Sequence, residues 1–234
     1  MPEHKLPPLT SELLQRIKLV RRILGSLLFH FTRTPKEHFV EVGTGRGSKM
    51  IMPASASAVL NKILHEGALR GTSGWTYGYN CVCFTEVPIQ EFNSIFSLVE
   101  LAASEKERPR YEPYGVAVSK TWLYGQGGRP VIYDQPDKLS ALPEDLRYRF
   151  VPYDPTAGID FSWEREWRIR ADYVRLDPAE TLVILPSAEE AFQIVYEFAR
   201  EEVDGDEDGP IGVYHVAKWL AVSLDIFGFR ANIA

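Results

Sequence analysis

The stretch Trp163-Glu164-Arg165-Glu166-Trp167-Arg168-Ile169 sets two carboxylates two residues apart between two tryptophans. The residues that follow alternate as a β-strand does, and on a strand positions i and i+2 point to one side. Read as a single strand, Glu164, Glu166, Arg168 and Arg170 share a face, and Trp163, Arg165, Trp167 and Ile169 share the other. The bulky row suits a core and the charged row a cleft. Fixed carboxylates in a cleft stabilise a developing cation or accept a proton. The same pattern also fits a solvated strand face with two ordinary Glu–Arg pairs, each weak at a surface.

Around this stretch, the composition describes a globular protein. The chain has 234 residues, 45% of them hydrophobic and 12% aromatic, enough for one domain with a sizeable core. The net charge of −6 excludes nucleic-acid binding by bulk electrostatics. The charge is uneven, however. Residues 1–50 hold nine Lys/Arg against four Asp/Glu, a balance of +5, which leaves −11 for the rest. An anionic ligand is therefore expected near the N-terminal third. No apolar run approaches the roughly 20 residues that span a bilayer, and Met1 to Pro8 lack the layout of a secretory signal. Cys81 and Cys83 sit two apart in a strand-like run, which disfavours a disulfide between them. Free thiols and no signal point to a cytoplasmic protein that does not enter membranes. C-x-C without a nearby His reads as core packing before metal binding, so no metal site is expected.

Upstream, residues 10–24 carry a helical apolar stripe, with Arg16, Lys18, Arg21 and Arg22 on the polar side. Leu27 to Thr32 reads as a strand on which Leu28, His30 and Thr32 share a face opposite Phe29 and Phe31. His30 with Thr32 makes a hydrogen-bonding pair suited to a ribose or an amide. Residues 41–49 form a glycine-rich loop that is neither a Walker loop nor a dinucleotide fingerprint. Such a loop fits the surface, or lies over a nucleotide with Arg46 or Lys49 near a phosphate. A helix is expected over 55–66 with Gly67 after it. Trp75, Tyr77 and Tyr79 punctuate a loose turn-rich segment, then Cys81 to Thr85 reads as a buried strand and 89–104 as a helix.

Tyr114 to Val118 reads as a strand, with Ser119 capping a short helix, and Pro130 to Tyr133 as another strand. Thr181 to Leu185 is a further strand, and Ser187-Ala188-Glu189-Glu190 is a capping box opening a helix to about residue 202. Glu201 to Asp208 reads as an acidic surface linker, and 211–229 fits either helix or strand. The expected division is a helical lead-in at 1–26, one α+β domain at 27–200, and an acidic linker with a C-terminal segment at 201–234 packing on that domain.

Four pieces now stand in order: Leu28-Phe29-His30-Phe31-Thr32, Ile63-Leu64-His65-Glu66-Gly67-Ala68-Leu69, Tyr114 to Leu123 followed by Pro130-Val131-Ile132-Tyr133, and Trp163 to Arg168. The series resembles the AbiGi-type abortive-infection proteins and a related bacterial family whose hallmark is E-x-E-W-R. Those families in turn resemble the ADP-ribosyltransferase fold, including its DarT-like DNA-modifying branch. That resemblance implies a split antiparallel β-sandwich core with flanking helices, and NAD, as substrate, in a cleft between the sheets. It carries the first-strand position onto His30 with Thr32, and the middle position onto Ser119 and Thr121 with Tyr133 competing. It carries the catalytic acid onto Glu166 and its partner onto Glu164. The middle element here is Ser-Lys-Thr where that fold has Ser-Thr-Ser.

The resemblance implies an NAD-consuming ADP-ribosyltransferase or NAD glycohydrolase of phage defence or of a toxin–antitoxin system. Its acceptor would be nucleic acid or protein, and its partner a cognate toxin or antitoxin. The alternative is a non-catalytic protein that binds a nucleotide or partner, an antitoxin or sensor, as AbiGi-type proteins are described. A third reading is an enzyme acting on nucleic acid through the basic N-terminal third.

Overall fold

Leu27–Phe31 (β1) runs through the middle of a seven-stranded sheet in the computed structural model, which describes residues 26–43, 49–92, 95–96, 111–206 and 209–229. The expected helix over 10–24 and Arg46 lie outside those residues. After β1 come Phe39–Gly43 (β2), Lys49–Pro53 (β3), the helix Ala56–Glu66 (α1), Ala68–Arg70 (β4) and Cys81–Thr85 (β5). Gly115–Ser119 (β6), the helix Lys120–Gly125 (α2), Arg129–Pro130 (β7), Ile132–Asp134 (β8) and Phe150–Pro152 (β9) follow. Glu166–Arg170 (β10), Tyr173–Arg175 (β11), Thr181–Leu185 (β12) and the helix Ala188–Glu197 (α3) lead to Ala199–Asp206 (β13), Gly209–Ala217 (β14) and Leu220–Ser223 (β15). The result is a mixed α+β structure.

The sheet order is β15-β12-β6-β1-β5-β10-β7, antiparallel throughout except for the parallel pair β12–β15. Among the described residues, four two-stranded pairs accompany it: β4–β11, β13–β14, β2–β3 and β8–β9.

Strand alternation sorts the apolar residues onto two faces. Leu28, Phe84, Val116, Trp167 and Val183 pack with Leu60 and Leu64 of α1, Leu123 of α2 and Trp219. Phe29, Phe31, Ala117 and Ile184 pack with Phe92, Phe96, Leu224 and Phe229 on the other side. Helix α1 begins where the Ser55 hydroxyl accepts the Ala58 N–H (3.0 Å), and ends at Gly67, whose φ of 63° suits a residue without Cβ.

Several local expectations change in the fold. The strand around the two carboxylates begins only at Glu166, because Ser162–Glu164 is a 3-10 turn and Arg165 takes φ 46°. That left-handed residue turns the chain before the strand starts, so Glu164 does not share the strand row of Glu166, and Trp163 is exposed with its ring edge-on to Tyr111 instead of buried in the core. Residues 41–43 and 49 belong to the β2–β3 hairpin and not to a loop. Pro130 to Tyr133 is no single strand. Val131 donates its N–H to Glu166 O (3.0 Å), and the chain then leaves β10 to pair with β9. Helix α3 stops at Glu197, and the expected acidic linker instead lies largely in the β13–β14 hairpin. That pairing joins residues up to 18 apart, such as Ala199 and Ala217, and local periodicity does not report it. No helix among the described residues is long and apolar enough to cross a membrane.

Candidate active site

β1 meets β6 through five register pairs, Leu27↔Ser119 to Phe31↔Gly115, but meets β5 through one, Phe29↔Thr85. Beyond that pair the main-chain ladder between β1 and β5 stops. At this point the His30 Nδ1 lies 2.8 Å from the Cys83 carbonyl. A carbonyl only accepts, so Nδ1 carries the proton and donates it. The other ring nitrogen, Nε2, is then an acceptor. Burial pulls the imidazole below its ordinary value of 6.5, which keeps it neutral and preserves that acceptor.

A cavity of about 470 Å³ opens beside the parting strands, within the size range of small-molecule sites. Its lining brings His30 together with Glu164 and Glu166. Arg168 and Arg33 supply its cationic groups, and Phe29, Phe31, Trp75, Phe84, Tyr111 and Phe161 its aromatic walls. Cys83, Thr85, Val151 and Pro152 complete it.

Each carboxylate is placed by a different device. Glu164 is only 3% exposed, and its backbone carbonyl accepts the Thr85 hydroxyl (2.6 Å), which fastens the 3-10 turn to β5. Glu166 heads β10, opposite Thr85. Its carboxylate takes a two-pronged bond from Arg168, Nε to Oε1 at 2.8 Å and Nη2 to Oε2 at 3.0 Å. Its main-chain N–H donates to the Tyr133 hydroxyl (3.0 Å). The Cys83 thiol, opposite Arg168 on β5, is pushed far up by burial and then by the Glu166 carboxylate, and stays protonated. Trp75 is 87% exposed and stands at the rim.

The remaining sequence-derived candidates lie elsewhere. Thr32 is buried, and its hydroxyl reaches the carbonyls of Ala56 (2.9 Å) and Tyr114 (3.0 Å). It ties β1 to its neighbours and does not line the cavity. Ser119 accepts the Trp122 N–H (3.1 Å) as the cap of α2, and Thr121 is exposed on that helix. Neither lines the cavity. Tyr133 does not line the cavity but accepts the Glu166 main-chain N–H, and burial raises its phenol. Lys120, from the same Ser-Lys-Thr run, forms an ion pair with Glu86, which also accepts the Trp167 indole N–H (2.8 Å).

No family model, curated protein or solved structure matches this chain. The cavity therefore rests on its own residues. Arg33, Thr85, Tyr111, Val151, Pro152 and Phe161 line the cavity without a sequence motif that marks them as site residues. Arg33 and Thr85 lie at or just past strand ends, where binding groups concentrate. Val151 and Pro152 carry no local signal, since the parallel β8–β9 pairing that places them joins residues 18 positions apart. Among the described residues, no group of three or more His, Cys, Asp or Glu is placed to hold a metal ion.

Proposed function

We propose that this cavity binds NAD and breaks its nicotinamide–ribose bond, making the chain an ADP-ribosyltransferase or NAD glycohydrolase of the ADP-ribosyltransferase-like fold. One observation carries the reading: His30, Glu164 and Glu166 line one aromatic cavity at the place where the central strands part. Cleavage sends the bonding electrons to the nicotinamide ring nitrogen, which leaves neutral, and positive charge develops on the ribose. Glu166 stabilises that charge through a ribose hydroxyl, an effect that grows in a water-poor site. Glu164 takes the proton of the attacking water or acceptor hydroxyl as the new bond to ribose forms. His30 Nε2 accepts from a second ribose hydroxyl. An aromatic wall residue stacks on the nicotinamide. The phage-defence setting follows from the resemblance to AbiGi-type proteins.

The test is release of free nicotinamide from NAD, with and without nucleic acid or lysate as acceptor source. Glu166→Gln keeps shape and removes charge, and is expected to lower turnover by about 100-fold or more. Undiminished turnover in that variant would remove Glu166 from the chemistry.

One feature favours a second reading, a nucleotide-binding protein without turnover: both Glu166 oxygens are already occupied by Arg168. That reading expects no nicotinamide release, but a melting shift with NAD or another nucleotide.

A further inference from the structure

Arg168 is 5% exposed and lines the cavity together with its carboxylate partner Glu166. Besides gripping Glu166, its Nη1 donates to the carbonyls of Tyr148 (2.8 Å) and Phe150 (3.1 Å). Phe150 opens β9, whose next two residues, Val151 and Pro152, form one wall. The same β8–β9 unit reaches back through Tyr133, which accepts the Glu166 N–H. Glu166 is thus held by side chain and main chain to a unit that is itself held by Arg168.

A buried ion pair of this kind is a poor source of stability, because desolvating the two charges offsets their attraction. It is a good source of direction. The planar fork of guanidinium meets a carboxylate at a set angle and still has donors for two carbonyls, which a lysine ammonium cannot match in geometry.

We infer that Arg168 is a positioning residue that sets the angle of the Glu166 carboxylate and ties it to the seating of the β9 wall. The acid and the wall are then ordered together. The effect on turnover rests on the NAD reading above; the coupling of wall to carboxylate does not.

The test compares Arg168→Gln, Arg168→Lys, Glu166→Gln and the double variant Arg168→Gln/Glu166→Gln. Amide hydrogen exchange over 148–151 is read without any nucleotide, and nicotinamide release is read with NAD. In Arg168→Gln, exchange at 148–151 is expected to quicken by about tenfold or more. Turnover kcat is expected to fall on the order of 100-fold, since a small misplacement of an oriented group costs that much, with KM within about threefold. Arg168→Lys keeps the charge and is expected to recover little of either. The double variant is expected to be no slower than Glu166→Gln alone.

Unchanged exchange in Arg168→Gln, or fully additive losses in the double variant, overturns the proposal. If Arg168→Gln does not fold, Arg168→Lys carries both readouts. If the unmodified protein releases no nicotinamide, the NAD reading fails separately, and the exchange result alone decides the coupling.

Discussion

The His30 imidazole donates to the Cys83 carbonyl at 2.8 Å where the β1–β5 ladder stops. A side chain stands in for a main-chain rung, and the strands part beside it. The bond also fixes the tautomer, so that the acceptor nitrogen is the one left for a ligand. One residue therefore marks the split and equips the cavity next to it.

His30→Asn and His30→Ala separate these two roles. An Asn amide keeps a donor near the Cys83 carbonyl but lacks the Nε2 acceptor. His30→Asn is expected to melt close to the unmodified protein and to bind NAD more weakly. His30→Ala loses the bond as well and is expected to cost about 1 kcal/mol or more of stability. Thermal melts with and without NAD check this. Equal affinity of His30→Asn and the unmodified protein would detach Nε2 from binding.

Burial lowers the His30 pKa below 6.5, and the sign for stability follows. Below pH 6.5 the unfolded chain takes up a proton at this site before the folded protein does. Stability from this group is thus complete above about 6.5 and declines as pH falls toward the lowered native value. Urea unfolding at pH 7.5, 6 and 5 is expected to show a steeper acid loss for the unmodified protein than for His30→Asn. Parallel losses would mean that His30 is not neutral in the fold.

Trp75 offers a ligand effect with little fold effect. It is 87% exposed yet lines the cavity, so its removal exposes almost no core. Trp75→Ala is expected to change stability by less than about 0.5 kcal/mol. If the ring stacks on a base, affinity for NAD is expected to weaken by about 1–3 kcal/mol. Calorimetric titration decides, and an unaltered dissociation constant places the base elsewhere.

Gly115 controls how closely β6 approaches β1. It pairs with Phe31, and a methyl there would run into the His30 carbonyl and come within 2.9 Å of Phe31 Cα. Both obstacles are backbone, which cannot swing aside. Gly115→Ala is expected to cost about 1–3 kcal/mol and to disturb His30 directly. A melting temperature equal to that of the unmodified protein would show that the two strands have slack.

The chain's periodicities and caps determined much of the local structure without help. Residues 27–31, 81–85 and 181–185 form strands, and Ser55, Ser119 and Ser187 cap helices, because these signals act over two to four neighbouring residues. The carboxylate pair and the His30 motif were equally visible as chemistry in search of a place. What joined them was decided by contacts between distant residues: His30 bonds Cys83, 53 positions away, and the Thr85 hydroxyl fastens Glu164, 79 positions away. The same distance effect took Thr32 out of the cavity, since its hydroxyl found carbonyl partners 24 and 82 positions away, whereas Ser119 is held out locally by its cap on Trp122. Glu164 is separated from the strand of Glu166 by a local feature, a left-handed Arg165 that no alternation pattern announces. Side-chain periodicity is a property of one segment, whereas a cavity is bounded by several, and their register is set only when the sheet assembles.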